Sequence, residues 1–454
     1  MKQLSTGKIW LFAVGQYGWA LLSGLISNWL VYFYQPDMAA QNSGQTLFIP
    51  QGRVILGILT VIGAVTAIGR VFDAVTDPWI ASLSDRCKSK QGRRIPFLKI
   101  AAVPLALSTF LVFMAPIGRT SWINAIWLFV FVMVYYLAIT TYCTPYTALI
   151  PELGHNQEQR LNISTIISLT FIIGTATAYS APVIWGAFEP SLGRVLAMRV
   201  AFGILAIIAL ICLLVPVFTI KEKEYVTAKP VEGSAFSSLV KTFKNKDFRL
   251  FVGSDILYWI ALTMFQTGLP FFVTSLLGLP ESMATIYFIL MTALSLVFYI
   301  PINIVSKKIG KKKLVLFAFF LFAGTYLYTA FLGDGLGFSN VAQGYILAII
   351  AALPMAIFGI LPQAIVADIS QSDSIATGEN REGMFYAART FAFKLGQSVS
   401  MLIFTAIVTI GAVNGTGYRI AAGVAATFCL LGGIVLFGLN ETKINNMINQ
   451  ATEK

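Results

Sequence analysis

The sequence predicts an all-α polytopic membrane protein with twelve transmembrane helices in two pseudo-symmetric six-helix bundles. Of its 454 residues, 57% are hydrophobic and only 11% charged, against about 25% charged in a soluble domain; the mean hydropathy is +0.77. Apolar runs of roughly 20 residues, each long enough to cross a hydrocarbon core about 30 Å thick, recur to the C-terminus. The longest hydrophilic stretch, Lys221 to Arg249, divides the chain into halves that repeat one another. A transmembrane β-barrel is excluded, because it would show alternating segments of about 10 residues rather than uninterrupted apolar runs.

The elements follow in order. Met1 to Lys8 is a short basic lead. The apolar stretch from Ile9 to Tyr34 exceeds the roughly 7 to 15 residues of a cleaved signal core, so it reads as the first span. Charge clusters and Pro/Gly loops then delimit spans near 9–34, 54–80, 97–116, 122–149, 161–185, 195–219, 250–277, 283–305, 313–332, 341–367, 384–410 and 418–439. With the N-terminus inside, 24 of the 32 lysines and arginines fall on inside segments and five outside, while Arg70, Arg389 and Lys394 lie within spans. The positive-inside bias therefore places both termini in the cytoplasm and the chain in the cell inner (cytoplasmic) membrane. The net charge of +12 marks topology, and no nucleic-acid partner is needed. The expected division is a bundle over 1–220, a cytoplasmic middle loop over 221–249, a bundle over 250–440 and a cytoplasmic tail over 441–454.

The repeat is visible in the loops. SDRCKSKQGRR after span two matches VSKKIGKKK after span eight, each a basic cluster around Gly92 or Gly310. PYTALIPELGHNQEQR from Pro145 matches PQAIVADISQSDSIATGENR from Pro362: a helical Pro, then an acid, then an Arg opening the next helix. Repeated bundles are an architecture of secondary transporters, with the substrate site at midplane between the repeats. Asp85, Arg86, Arg93, Glu152, Arg160, Asp368 and Arg381 are expected to form cytoplasmic gating pairs broken during opening.

The chemistry lies in span two, GRVFDAVTDPWIASLSDR. Asp73 and Asp77 stand i and i+4, so both carboxylates leave one helical face about 6 Å apart. At that depth an ionised carboxylate is costly unless paired, hydrated or occupied by a cation, and two so close resist joint ionisation unless a positive charge sits between them. Hard cations take oxygen ligands, and hydroxyls from Thr76 or the TTYCT stretch of span four would add them. Na+ or H+ fits. Cys87, Cys143, Cys212 and Cys429 show no CxxC spacing and His155 is the single histidine, so zinc, haem and disulfide frameworks fall away. The plainer alternative is that Arg70 merely pairs with Asp73 to hold two helices together. In span eleven, Lys394 either counters the cation at Asp73 or Asp77 or makes a fixed salt bridge. Arg389 either snorkels to the surface or binds an anionic substrate group bidentately. Polar side chains also fall on helical stripes: Gln16, Ser23 and Ser27; Tyr17, Gly24 and Asn28; Trp259, Thr263 and Gln266. Aromatic rings beside hydrogen-bonding groups suit sugars, and helix packing accounts for any single one equally well.

GRVFDAVTDP, SDRCKSKQGRRIPFL, TTYCTPYTALIPEL and TGENREGMFYAARTFAFKLGQ resemble the glycoside-pentoside-hexuronide:cation symporter family of the major facilitator superfamily, whose best known member is the melibiose carrier. The resemblance implies the major facilitator fold and cation-coupled symport of a sugar or glycoside by alternating access. It implies no enzyme activity and no cofactor beyond a coupling Na+ or H+; the expected partners are a small-molecule substrate and the lipid bilayer, and the expected state is monomeric. Asp73 and Asp77 would be the coupling carboxylates, Thr140 a further oxygen ligand and Lys394 a lysine near the cation. There are departures. The melibiose carrier's sugar-binding aspartates on helices one and four are replaced by Gln16 or Tyr17 and by Cys143. Its tryptophan after the proline corresponds to Thr147, its span-five arginine to Ser168, and a neutral glutamine of that carrier to Arg389. Gln16, Tyr17, Asn28, Tyr142, Cys143, Gln266 and Arg389 are the expected substrate residues. Three positive intramembrane charges (Arg70, Arg389, Lys394) against two negative (Asp73, Asp77) favour an acidic cargo such as a hexuronide, with Na+, H+ and Li+ all open as coupling ion. The competing reading, a Mg-dependent prenyl transferase-like enzyme using DAVTD, needs a second facing acidic motif, and Asp368 with Asp373 has the wrong spacing.

Overall fold

In hydrocarbon no water satisfies a bare N–H or C=O, so a spanning segment closes its backbone hydrogen bonds internally as a helix. The structure, a computed structural model, describes residues 4–154, 157–226, 242–333, 335–378, 382–411 and 413–452. It divides into two compact units, Met1–Gly233 and Ser234–Lys454. The first contains α1 (Thr6–Tyr34), α2 (Met38–Asn42), α3 (Val61–Asp85), α4 (Ile95–Val112), α5 (Trp122–Leu153), α6 (Gln157–Tyr179), α7 (Ala181–Leu192), α8 (Arg194–Thr219) and α9 (Glu222–Tyr225). The second contains α10 (Lys246–Phe271), a π-helical turn Phe272–Leu276, α11 (Ser282–Ile309), α12 (Lys311–Ala330), α13 (Asn340–Thr377), α14 (Glu382–Ile407), α15 (Thr416–Phe437) and α16 (Glu441–Thr452).

Among the described residues, eleven helical stretches are long and apolar enough to cross a membrane. The remaining expected span is α3, whose 25 residues include Arg70, Asp73 and Asp77. Ile100, Ile211, Phe218, Val297 and Ile300 are 61–72% exposed, which is tolerable where the surrounding solvent is lipid. The interiors are aromatic. In the first unit Trp29 donates to the Ala178 carbonyl at 2.8 Å and meets Trp185 edge-on at 5.0 Å; in the second Tyr258 stacks on Phe358 at 3.9 Å.

Three spans depart from the sequence expectation. Span two begins at Val61 rather than near 54, because Gly52 and Gly57 take positive φ and Ile55 bridges to Leu59, so the chain turns before Thr60. The Thr60 hydroxyl then caps the helix by accepting from the Gly63 N–H at 3.1 Å. Span five breaks at Ser180, because Pro182 opens α7 and has no N–H to continue the ladder. α13 runs 38 residues to Gly378 at φ 72°, ten beyond the expected end at 367, so Asp368 and Asp373 ride on the same helix as Pro362.

Each unit repeats two fastening devices. The Glu222 carboxylate accepts from the N–H groups of Arg93 (2.7 Å), Arg94 (2.8 Å) and Ile95 (3.0 Å) at the start of α4. Glu441 does the same for Lys311 (2.7 Å) and Lys312 (3.2 Å) at the start of α12. A carboxylate there satisfies orphan donors and meets the positive end of the helix dipole. Gly92 and Gly310 precede these ends at φ 120° and 94°, and a Cβ at either would strike the capping carboxylate. At the other ends, Arg199 donates to the Phe113 and Ala115 carbonyls at 3.1 and 3.0 Å just beyond α4. Arg419 donates to the Ala330 carbonyl at 2.6 Å as the last residue of α12.

Candidate functional site

α3 and α5 pack along each other in register. Thr140 Oγ1 donates to Asp73 Oδ1 at 2.5 Å, and one turn further Thr144 Oγ1 donates to Asp77 Oδ1 at 3.2 Å. Both pairs are i,i+4 on their own helix, so two carboxylates and two hydroxyls line one seam. Asp73 is 4% exposed and Thr140 2%; Asp77 and Thr144 are half-buried. Counted from Asp85, the carboxylates lie about 18 and 12 Å up the helix. Four oxygen-bearing side chains this close form a set suited to a small hard cation or a proton. The Thr76 hydroxyl donates to the Phe72 and Asp73 carbonyls at 2.9 and 3.1 Å, on its own helix. Thr144, inside the TTYCT stretch, takes the place expected of it.

Arg70, one turn before Asp73, donates from Nη2 to Ser27 Oγ at 3.3 Å and lies 5.4 Å from the centre of the Tyr136 ring, while its Nε is buried with no hydrogen-bond partner. Asn28 Nδ2 is likewise buried and unpartnered. Gln16 accepts from Trp19 Nε1 at 3.2 Å, and Tyr17 donates to Thr177 at 3.3 Å. Tyr142 is fully buried and donates to the Leu213 carbonyl at 2.9 Å, so it fastens α5 to α8 and its hydroxyl is committed there. Cys143 is half-buried on α5, Gln266 half-buried on α10 and Lys394 half-buried on α14.

Arg389 corrects the charge count. Its Nε and Nη2 form a fork on Asp255 of α10 at 2.8 and 3.0 Å, with side chains 6% and 3% exposed. The expectation that this guanidinium waits for a substrate carboxylate overlooked Asp255, an acid in the middle of FVGSDILYW that the sum of intramembrane charges omitted. With it, the named charges balance at three and three, and the argument for an acidic cargo loses its basis.

Of the expected gating residues, Asp85, Arg93, Glu152 and Asp368 bind partners within their own units. Arg94 reaches Asp85 at 2.5 Å and Glu152 at 3.3 Å, and Arg93 reaches Glu152 at 2.9 Å, tying the ends of α3, α4 and α5 together. Lys311 reaches Asp368 at 2.5 Å between α12 and α13. Arg86 is exposed at the end of α3. Arg381 and the side chain of Arg160 lie outside the described residues. Sequence reasoning missed Glu222 and Glu441, which carry no periodic signal because each lies in a short polar segment far along the chain from the helix it caps.

Eleven described helices long and apolar enough to cross a membrane define a polytopic helical membrane protein. The chain belongs to the MFS/sugar transport protein family, whose model matches residues 11–436. It is 24% identical to an uncharacterized symporter of Synechocystis sp. over 94% of this chain and 92% of that one. It is 29% identical to the uncharacterized symporter YjmB of Bacillus subtilis over 74% and 72%. It is 22% identical to the sodium-dependent lysophosphatidylcholine symporter 1 of Gallus gallus over 82% and 76%. The D-xylose-proton symporter shares the fold at a TM-score of 0.66 and 17% identity, covering 96% of this chain and 98% of that one.

Proposed function

We propose that the protein is a cation-coupled symporter of an uncharged sugar or glycoside, working by alternating access with Na+ or H+ as the coupling ion at Asp73 and Asp77. The observation that carries this reading is the in-register seam of Asp73–Thr140 and Asp77–Thr144. A cation between the carboxylates removes their mutual repulsion, and its binding and the cargo's then strengthen each other by the same factor through linkage. An uncharged cargo is favoured because the Arg389 fork is held by Asp255. Lys394, on α14, is kept as a candidate counter-charge, and Gln16, Tyr17, Asn28, Cys143 and Gln266 as candidate cargo contacts. We place the chain in the cytoplasmic membrane with both termini inside.

A lysophospholipid cargo is the second reading, carried by the Gallus gallus relative. Counterflow in proteoliposomes loaded with labelled neutral sugars, glucuronides or lysophosphatidylcholine, each with and without Na+ and at two pH values, decides between them. Exchange of a neutral sugar, enhanced by Na+ or by acid, is expected. Exchange of lysophosphatidylcholine alone would transfer the assignment to the second reading, and exchange of glucuronides alone would restore an acidic cargo.

A further inference from the structure

α10 and α14 run side by side with their contacts spaced four residues apart on each helix, about 6 Å per step. The first rung is Asp255–Arg389. The second is Trp259 stacked on Phe393, centres 4.5 Å apart and planes 23° apart. The fourth is Thr267, whose hydroxyl donates to Met401 Sδ at 3.9 Å. The third rung, by the same register, is Thr263 and Gln397. These two side chains are 4% and 9% exposed, yet Thr263 Oγ1 and Gln397 Oε1 have no hydrogen-bond partner among the described residues, and neither does the buried Trp259 Nε1 one turn away.

Three such atoms on two successive rungs are unusual, because buried polar groups in folded proteins are almost always paired. Thr263 is odd within its own molecule. Thr66, Thr109, Thr274 and Thr325 each return the hydroxyl to a carbonyl one turn back at 2.8–3.0 Å, and Thr263 does not. The three atoms also form a complementary set. Trp259 Nε1 can only donate, Gln397 Oε1 can only accept, and the Thr263 hydroxyl supplies a further donor. A hydroxyl group offers one proton and two lone pairs, which is the reciprocal inventory.

We propose that Trp259, Thr263 and Gln397 form a subsite on α10 and α14 that takes one hydroxyl of an uncharged sugar or polyol, and so set specificity. Gln397 Oε1 accepts the cargo proton, while Trp259 Nε1 and Thr263 donate to its oxygen. The Asp255–Arg389 rung and the stacked rings below hold the two helices at this register. The inference deepens the sugar-symport reading and rests on it.

The test uses near-isosteric changes in the full-length purified protein: Thr263→Val, Gln397→Met and Trp259→Phe, which keeps the stacking ring. Equilibrium dialysis in saturating Na+ at low pH measures binding of labelled methyl glucoside, methyl galactoside, methyl xyloside and methyl glucuronide. For each probe that binds, its singly deoxygenated forms are measured too. Each variant is expected to lose about ten-fold or more in affinity for a neutral probe, the cost of one buried hydrogen bond. One deoxy form is expected to bind the wild type about ten-fold worse and Gln397→Met no worse than the parent sugar does. A merely structural rung would lower affinity for parent and deoxy forms alike, and that equal loss overturns the proposal, as does unchanged binding in all three variants. If no sugar binds the wild type, the sugar reading itself falls and takes this inference with it.

Discussion

Asp255 and Arg389 show how a residue can be misread when its partner is overlooked. A buried guanidinium with no visible counter-charge invites an anionic ligand, whereas one forked on a buried carboxylate is already neutralised. Breaking a buried pair by removing one member strands the other charge at about 3–5 kcal/mol. Arg389→Gln should therefore lower the melting temperature of purified protein sharply, and Arg389→Gln with Asp255→Asn should recover most of the loss. If the single variant melts like wild type and only loses affinity for glucuronides, the guanidinium binds cargo after all. At the seam, Thr144→Val removes one of the four oxygens beside the carboxylates, so with Na+ as the coupling ion it should weaken Na+ affinity by about ten-fold or more, read by calorimetric titration with Na+. Asp73 and Asp77 were legible in the sequence because charge inside an apolar run stands out. Thr140 was legible only through the family resemblance and Thr144 only as part of the TTYCT stretch, since a hydroxyl in a helix is as well satisfied by its own backbone, as Thr76 is.

At the scale of the element, helix existence was readable from apolar length, and helix ends were not. The start of α3 is decided by backbone turns at Gly52 and Gly57 that hydropathy does not register, and the end of α13 continues ten residues because no Pro or Gly stands between Ala367 and Gly378. The capping acids are a second case: Glu222 lies 127 to 129 positions from the N–H groups it accepts, so spacing carries no hint of it. A carboxylate serving several orphan donors at a helix start is stronger than an ordinary cap, which contributes about 1 kcal/mol. Glu222→Gln is expected to destabilise the first unit by at least that amount, and Glu441→Gln the second. Limited proteolysis near α4 and α12 reports each separately, and equal cleavage of variant and wild type would show that the caps carry little. Gly92→Ala should resemble Glu222→Gln, because its φ of 120° and the carboxylate against it leave no room for a Cβ.

At the scale of the whole molecule, the two units repeat one another. The same acid caps the same helix start in both units, and an arginine reaches the same helix end, although the sequence showed only matching basic loops and Pro-to-Arg segments. Such agreement, in the side chains as well as in the helix ends they fasten, is what duplication of one bundle leaves. The two units differ in the charges they bury. The seam of paired carboxylates belongs to the first, and the Asp255–Arg389 ladder to the second. The most direct test of the central claim is accumulation of the transported sugar in proteoliposomes under an imposed Na+ or proton gradient, comparing wild type with Asp73→Asn and Asp77→Asn. Wild type should concentrate its cargo above the outside level under one of the two gradients, while both variants, still folded, only equilibrate it. Uphill accumulation by either variant would contradict the assignment of the coupling ion to these carboxylates.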